Sequence, residues 1–220
     1  MISENAVGYF DNPRVELVQL FSLAMSQNST PKLSVVEVGC GAGANFQLYR
    51  DAGFELLHGV EVHRQMADVA TARFDQVYAV AVEEFQPLGV RYHAVVVGDV
   101  LEHLVDPWLV LRRIYDWSAY DAVLAVSIPN AQNWTVVWPL IRGRWDYTAD
   151  GILDRTHLRF FTDRSFQEVL RQTGWKVQIK SHPELGPKGR LLTWLSGGRL
   201  EPFMVGQYYY ICVKQSLRRK

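Results

Sequence analysis

The chain has 220 residues, 48% of them apolar, enough to bury a substantial core in a single domain spanning 1–220. Its 23 basic and 23 acidic residues cancel, so no long-range field favours nucleic acid or an anionic membrane as the main partner. Two cysteines make no disulfide framework, MISENAVGYFDNP lacks the basic stretch and apolar core expected of a secretory signal, and no apolar run approaches about 18 residues. A cytoplasmic protein without a membrane span is expected.

After Pro13, RVELVQLFSLAM sets Val15, Val18, Leu20, Phe21 and Met25 near helical spacing, which predicts a helix over about 13–26 that SQNSTP stops. LSVVEVG is a short β-branched run suited to a strand covered on both faces, and ANFQLYRDAG resumes as a helix closed by Gly53. The alternation repeats: FELLHGVEV as a second strand, RQMADVATARF as a helix, QVYAVAV and YHAVVVGDV as the third and fourth strands. DPWLVLRRIYDWSA follows as a helix and DAVLAVSIP as the fifth strand. Strand and helix at this spacing imply a parallel sheet with right-handed crossovers and helices on both faces.

Periodicity fails after Pro129. Residues 130–161 hold Trp134, Trp138, Trp145, Tyr147, Phe160 and Phe161 among polar groups, and so long a loop in a compact domain is usually a lid or a pocket wall. The three tryptophans and Tyr147 either line an acceptor pocket or fill core beneath the insertion. TDRSFQEVLRQTG then predicts a helix with Thr162 as N-cap and Gly174 at its end. WKVQIKSH and GQYYYICVK close the sheet, separated by the Gly- and Pro-containing segment 183–205.

VVEVGCGAGANF bends from strand to helix on three glycines at alternate positions, which permit tight backbone angles and clear side chains away from a ligand. Gly39, Gly41 and Ala44 also satisfy the dinucleotide fingerprint, so the loop alone does not choose a cofactor. Glu37 does: at the mouth of strand one a carboxylate repels a pyrophosphate but accepts a hydrogen bond from a ligand ammonium, favouring an amino-acid nucleoside over NAD. Glu61, at the expected end of strand two, suits both hydroxyls of a ribose in either cofactor.

In order and spacing, VVEVGCGAG, GVEV, DVLEHLVDP and SIPN resemble the class I S-adenosylmethionine-dependent methyltransferases over roughly residues 9–181. GRWDYTADGILDRTHLRFFT is similar to the bacterial small-molecule branch that includes the ubiquinone-pathway O-methyltransferases. The resemblance implies a Rossmann-like, doubly wound, seven-stranded sheet, mostly parallel with an antiparallel last strand. It implies S-adenosyl-L-methionine as cofactor and methyl transfer to a small-molecule acceptor, at oxygen. It places Gly39, Gly41 and Gly43 beneath the methionine part, Glu37 near its amino group and Glu61 on the ribose. Glu83 stands near the adenine amino group, although the family's usual aspartate nearby is missing here. Gly98, Asp99 and Leu101 lie beside the cofactor, Arg14 meets its carboxylate, and Tyr9 lies over the sulfonium.

Methyl transfer from a sulfonium is an in-line displacement, so alignment supplies most of the catalysis and a base is needed only when the acceptor arrives protonated. His157 in DRTHLRFF is the candidate base, with Asp154 to orient it and Arg159 to bind an acidic acceptor; alternatively it is a core histidine packed with Phe160 and Phe161. In ubiquinone-pathway relatives an acid three residues ahead of a Glu-His pair is associated with a divalent metal, and Asp99, Glu102 and His103 stand there. Glu102 and His103 equally begin the helix after strand four, with Glu102 favourable to its dipole, and no metal is assigned. SIPNAQNW also resembles a methyltransferase-like protein of methionine biosynthesis that acts beside an acyltransferase, which would make the chain a non-catalytic partner. An NAD-dependent oxidoreductase is the third reading, and it lacks a hydride-transfer constellation.

Overall fold

The computed structural model describes residues 13–27 and 31–215. Tyr9 lies outside the described residues.

A seven-stranded sheet is built from β1 (Ser34–Val38), β2 (Leu56–Val60), β3 (Gln76–Tyr78), β4 (Tyr92–Gly98), β5 (Ser118–Pro129), β6 (Trp175–Ser181) and β7 (Gln207–Lys214), in the order β3-β2-β1-β4-β5-β7-β6. The pairs from β3 through β5 are parallel, and β7 is antiparallel to both β5 and β6. The chain leaves β6 and re-enters β7 at the same end of the sheet, so the last strand must run back. Among the described residues, six helices pack on or flank this sheet: α1 (Val15–Gln27), α2 (Phe46–Asp51), α3 (Arg64–Ala70), α4 (Pro107–Trp117), α5 (Trp134–Ile141) and α6 (Asp163–Gln172). Between β6 and β7 come α7 (Pro187–Leu195) and the short α8 (Glu201–Met204).

The two-residue period of the strands divides the core. Val35, Leu57, Ala94, Val96, Val123, Ala125 and Ile211 face Leu17, Phe21 and Met25 of α1 and Tyr49 of α2. Val36, Val38, Val95, Val97, Leu124 and Val126 face Val110, Leu111 and Ile114 of α4 and Phe166, Val169 and Leu170 of α6. All five residues of β1 are buried, as a doubly covered parallel strand requires. Order reversal at β1 and β4 opens a crevice at their carboxyl ends, where open α/β sheets bind ligands.

Several elements differ from expectation. The third strand stops at Tyr78, and Val80 and Val82 instead turn into the core cluster. Residues 130–161 are not wholly irregular: α5 starts at Asn133, whose side chain accepts from the Thr135 amide at 3.0 Å. Segment 183–205 also holds helices, α7 and α8, each with a proline in its first turn. Glu102 and His103 do not begin the helix after β4. They form a separate 3₁₀ turn, Leu101–His103, and α4 starts later, where the Asp106 carboxylate caps Leu109 N at 2.9 Å.

Candidate active site

At the carboxyl end of β1 the chain bends through Gly39, Gly41 and Gly43 with φ of 71°, 53° and 83°. These left-handed angles exclude ordinary side chains, and a Cβ on Gly39 would also stand 2.5 Å from Val100 Cγ2. Glu37 is 4% exposed behind this bend. Its Oε1 accepts from Asn45 Nδ2 at 2.5 Å, and Oε2 has no hydrogen-bond partner among the described residues. The Tyr49 hydroxyl lies against the carboxylate, outside hydrogen-bond geometry. Burial raises the Glu37 pKa to about 7, against the pull of Asn45 and the Arg14 charge. Asn45 Oδ1 in turn accepts from the Arg14 amide at 2.7 Å, tying the start of α1 to the loop.

Glu61, one residue past β2, is buried and reaches across to the same loop: Oε2 accepts from Gly41 N at 2.9 Å. Its Oε1 accepts from His63 N at 2.7 Å and faces His63 Nδ1 at 2.9 Å. Gly98 ends β4 beneath the Arg14 side chain, where an added Cβ would meet Cδ and Nε at 2.8 Å. Asp99 has a φ of 51°, unusual for a residue with a side chain. Its carboxylate accepts from Arg14, from Gln207 and, at 2.7 Å, from Ser127 Oγ. Leu101 is sealed in the core cluster behind the crevice. Glu83 sits half-buried in the turn beyond β3. The strand ends thus bring together Arg14, Glu37, the glycines, Glu61, Gly98 and Asp99.

A second cluster stands on the 3₁₀ turn. Glu102 is 1% exposed, and neither carboxyl oxygen has a hydrogen-bond partner among the described residues. Burial, reinforced by the charge of Asp99, holds its pKa well above the usual carboxylate range. The Glu102 carbonyl accepts from Leu158 N at 2.8 Å and Arg159 N at 3.0 Å, which clamps the 152–159 loop onto the turn. His157 is buried there, with its ring 4.7 Å from that of His103 and Nδ1 3.0 Å from the Ile152 carbonyl. Ile152, not Asp154, therefore holds the ring, and Asp154 accepts instead from Thr156 N and Oγ1, both at 2.7 Å. Arg159 donates to the Val105 carbonyl.

Trp134, Trp138 and Tyr147 are not core filling, whereas Phe161 is buried in the core against Phe166. Trp134 and Trp138 are about half exposed, Trp138 lies under the Arg142 guanidinium at 4.3 Å, and Trp145 meets Phe160 edge-on at 5.1 Å. Asn45, Tyr49, Ser127 and Gln207 were not legible as site residues. Asn45 reads as an ordinary helix start, and the others sit on core-facing or late elements that only the fold brings to the crevice.

Residues 9–179 match the family described as "Methyltransferase domain". In the solved structures, a SAM dependent methyltransferase from Archaeoglobus fulgidus has a TM-score of 0.63 at 18% identity, covering 90% of this chain and 94% of that one. Magnesium protoporphyrin IX methyltransferase from Synechocystis PCC 6803, solved with bound SAH, has a TM-score of 0.63 at 15% identity, over 91% of this chain and 83% of that one. A S-adenosylmethionine-dependent methyltransferase from Clostridium acetobutylicum reaches 0.67 at 9% identity, over 94% of each chain. At such identities the likeness is one of fold. No curated protein matches the sequence. The family match covers well over half of the chain, and with the crevice at β1 and β4 it leads to one conclusion: the chain belongs to the methyltransferase-domain family, on the class I fold of S-adenosylmethionine-dependent enzymes.

Proposed function

We propose that the protein transfers a methyl group from S-adenosylmethionine to a small-molecule acceptor, at oxygen. The observation that carries this reading is the Glu37 oxygen left without a partner, buried at the rim of a left-handed glycine bend. An ammonium group there satisfies that oxygen and returns the carboxyl to its charged form, whereas a pyrophosphate would be repelled. When bound, the cofactor supplies an electrophilic methyl on a sulfonium.

The chain's own residues bind and align. Gly39, Gly41 and Gly43 open the loop to the methionine portion, and Arg14 takes the cofactor carboxylate after exchanging it for Asp99. Glu61 accepts from the ribose by giving up His63, and Glu83 stands for the adenine end. Gly98 and Asp99 form the wall beside the sulfonium, with Leu101 packed near it. His157 takes the proton from a hydroxyl acceptor through Nε2, the nitrogen that Ile152 leaves open. Segment 130–161, with its exposed tryptophans, covers the acceptor.

Two measurements test the reading. Calorimetric titration with S-adenosylmethionine and with NAD separates the cofactors, and binding of NAD alone would remove it. Incubation with radiolabelled S-adenosylmethionine and fractionated cell extract then identifies the acceptor. His157→Ala is expected to slow turnover on a hydroxyl acceptor by about 10²-fold or more while leaving cofactor affinity nearly unchanged. Unchanged turnover would assign His157 to packing.

A further inference from the structure

We propose that Tyr49 is a positioning residue for cofactor binding: its phenol hydroxyl holds the Glu37 carboxylate in the orientation that receives the ligand ammonium. This role rests on S-adenosylmethionine as the cofactor and adds a residue to its site.

Tyr49 has no solvent exposure, and its hydroxyl lacks a hydrogen-bond partner among the described residues. A core tyrosine ordinarily keeps its hydroxyl paired, because an unpaired buried hydroxyl is costly. The polar group it lies against is the Glu37 carboxylate, whose Oε2 is unpaired as well. The two atoms are complementary, since an O–H donates and a carboxylate oxygen accepts. The same helix face already supplies a donor for the other oxygen. Asn45, one turn ahead, accepts from Tyr49 N through its carbonyl at 3.2 Å and puts its own Nδ2 on Glu37 Oε1 at 2.5 Å. Positions i and i+4 share a face, so Asn45 and Tyr49 address the two oxygens of one carboxylate.

The Tyr49 ring is held in place by Phe54 and Phe74, which meet it edge-on with centroids 6.4 Å away in each case. Burial, then the neighbouring Glu37 charge, push the phenol pKa well above 10, so the hydroxyl stays a donor at any ordinary pH. A carboxylate has about four lone-pair sites, so Asn45, Tyr49 and an ammonium share it without competing. The other titratable groups around Glu37 are Arg14, which favours its ionised form, Glu61, which opposes it, and Cys40, whose thiol burial keeps protonated.

An ammonium needs the ionised carboxyl, and a donor on Oε2 favours that form. Tyr49→Phe keeps the ring and removes only the donor, so Glu37 holds its proton to higher pH. Cofactor affinity then falls most where the parent carboxyl is still largely protonated. Calorimetric titration with S-adenosylmethionine at pH 6 and pH 8.5 is the test. The variant should bind about tenfold more weakly than the parent protein at pH 6 and within about twofold of it at pH 8.5, a ratio in which the ligand's own titration cancels. In a Glu37→Gln background the same substitution should change affinity by less than about twofold at either pH.

Urea unfolding of the empty protein gives a readout without cofactor. The folded pKa of Glu37 lies above its unfolded value, so its contribution is lost as pH rises, and the stability deficit of Tyr49→Phe should widen from pH 6 to pH 8.5. An affinity ratio that is the same at both pH values, or an equal loss in the Glu37→Gln background, would assign Tyr49 to packing. Failure of the parent protein to bind S-adenosylmethionine would instead remove the cofactor assignment, and a deficit that stays constant with pH would show that Tyr49 does not pair with Glu37.

Discussion

Glu37 links the charge of one residue to the behaviour of the empty protein. Its folded pKa, about 7, is raised above the ordinary 4.5 by burial. The folded state therefore holds the proton more tightly than the unfolded chain does. The stabilisation from this group is fully present below about 4.5 and is lost as pH rises through about 7. Glu37→Gln removes the titration, so in urea unfolding without cofactor the variant should gain on the parent protein between pH 5 and pH 8, by up to about 3 kcal/mol. A gap independent of pH would contradict the assignment. The same variant should bind S-adenosylmethionine at least about tenfold more weakly, because the ammonium loses a charged acceptor. Glu37, Glu61 and the glycines could be read from the sequence because their backbone position follows from a single strand-turn-helix pattern. Asn45 and Gln207 could not: one bridges Glu37 to Arg14, the other reaches Asp99 from the last strand, and neither contact has a local signature.

Elements were legible where an apolar period faces a core. Helix α6 is the clearest, with Phe166, Val169 and Leu170 buried on one face and the expected Thr162 cap in place. Thr162 Oγ1 accepts from Ser165 N at 3.3 Å, and Ser165 Oγ accepts from Thr162 N at 2.9 Å, so each satisfies an amide that the first turn leaves open. Thr162→Ala should lower unfolding free energy by about 1 kcal/mol, Thr162→Ser should restore most of it, and activity per folded molecule should hardly change. Loss of turnover without loss of stability would mean that α6 does more than pack. Helices α5 and α7 escaped the sequence for the opposite reason. Only Val136 of α5 is buried and no residue of α7 is, so no stripe marks them. Leu191, Trp194 and Leu195 share one face of α7 and are exposed, the reverse of the pattern that identifies a core-facing helix. The 3₁₀ turn was hidden similarly: Glu102 reads as a favourable acid at a helix start, and only burial separates it from one.

At the scale of the whole molecule the crevice is a junction of distant chain segments. Arg14 comes from just ahead of α1, Glu37 from β1 and the glycines from the loop after it, Glu61 from just past β2, Asp99 from just past β4, Ser127 from β5 and Gln207 from β7. Their mutual bonds hold the ends of four parallel strands and the antiparallel β7 in one place. A cofactor that spans Arg14, the loop and Glu61 cross-links elements that unfold together, so it stabilises the native state by its binding free energy alone. S-adenosylmethionine at about 100 times its dissociation constant should add about 2.7 kcal/mol, visible as a rise in melting temperature, while NAD at the same concentration adds nothing. Amide exchange should slow most at Gly41, whose N–H already bonds Glu61, and at His63, whose N–H shares the same carboxylate. Arg14→Ala should reduce the melting shift more than it lowers the melting temperature of the empty protein, because the guanidinium sits at the rim with half its role directed at the ligand. Equal losses in the presence and absence of cofactor would place Arg14 among the residues that merely hold Asp99.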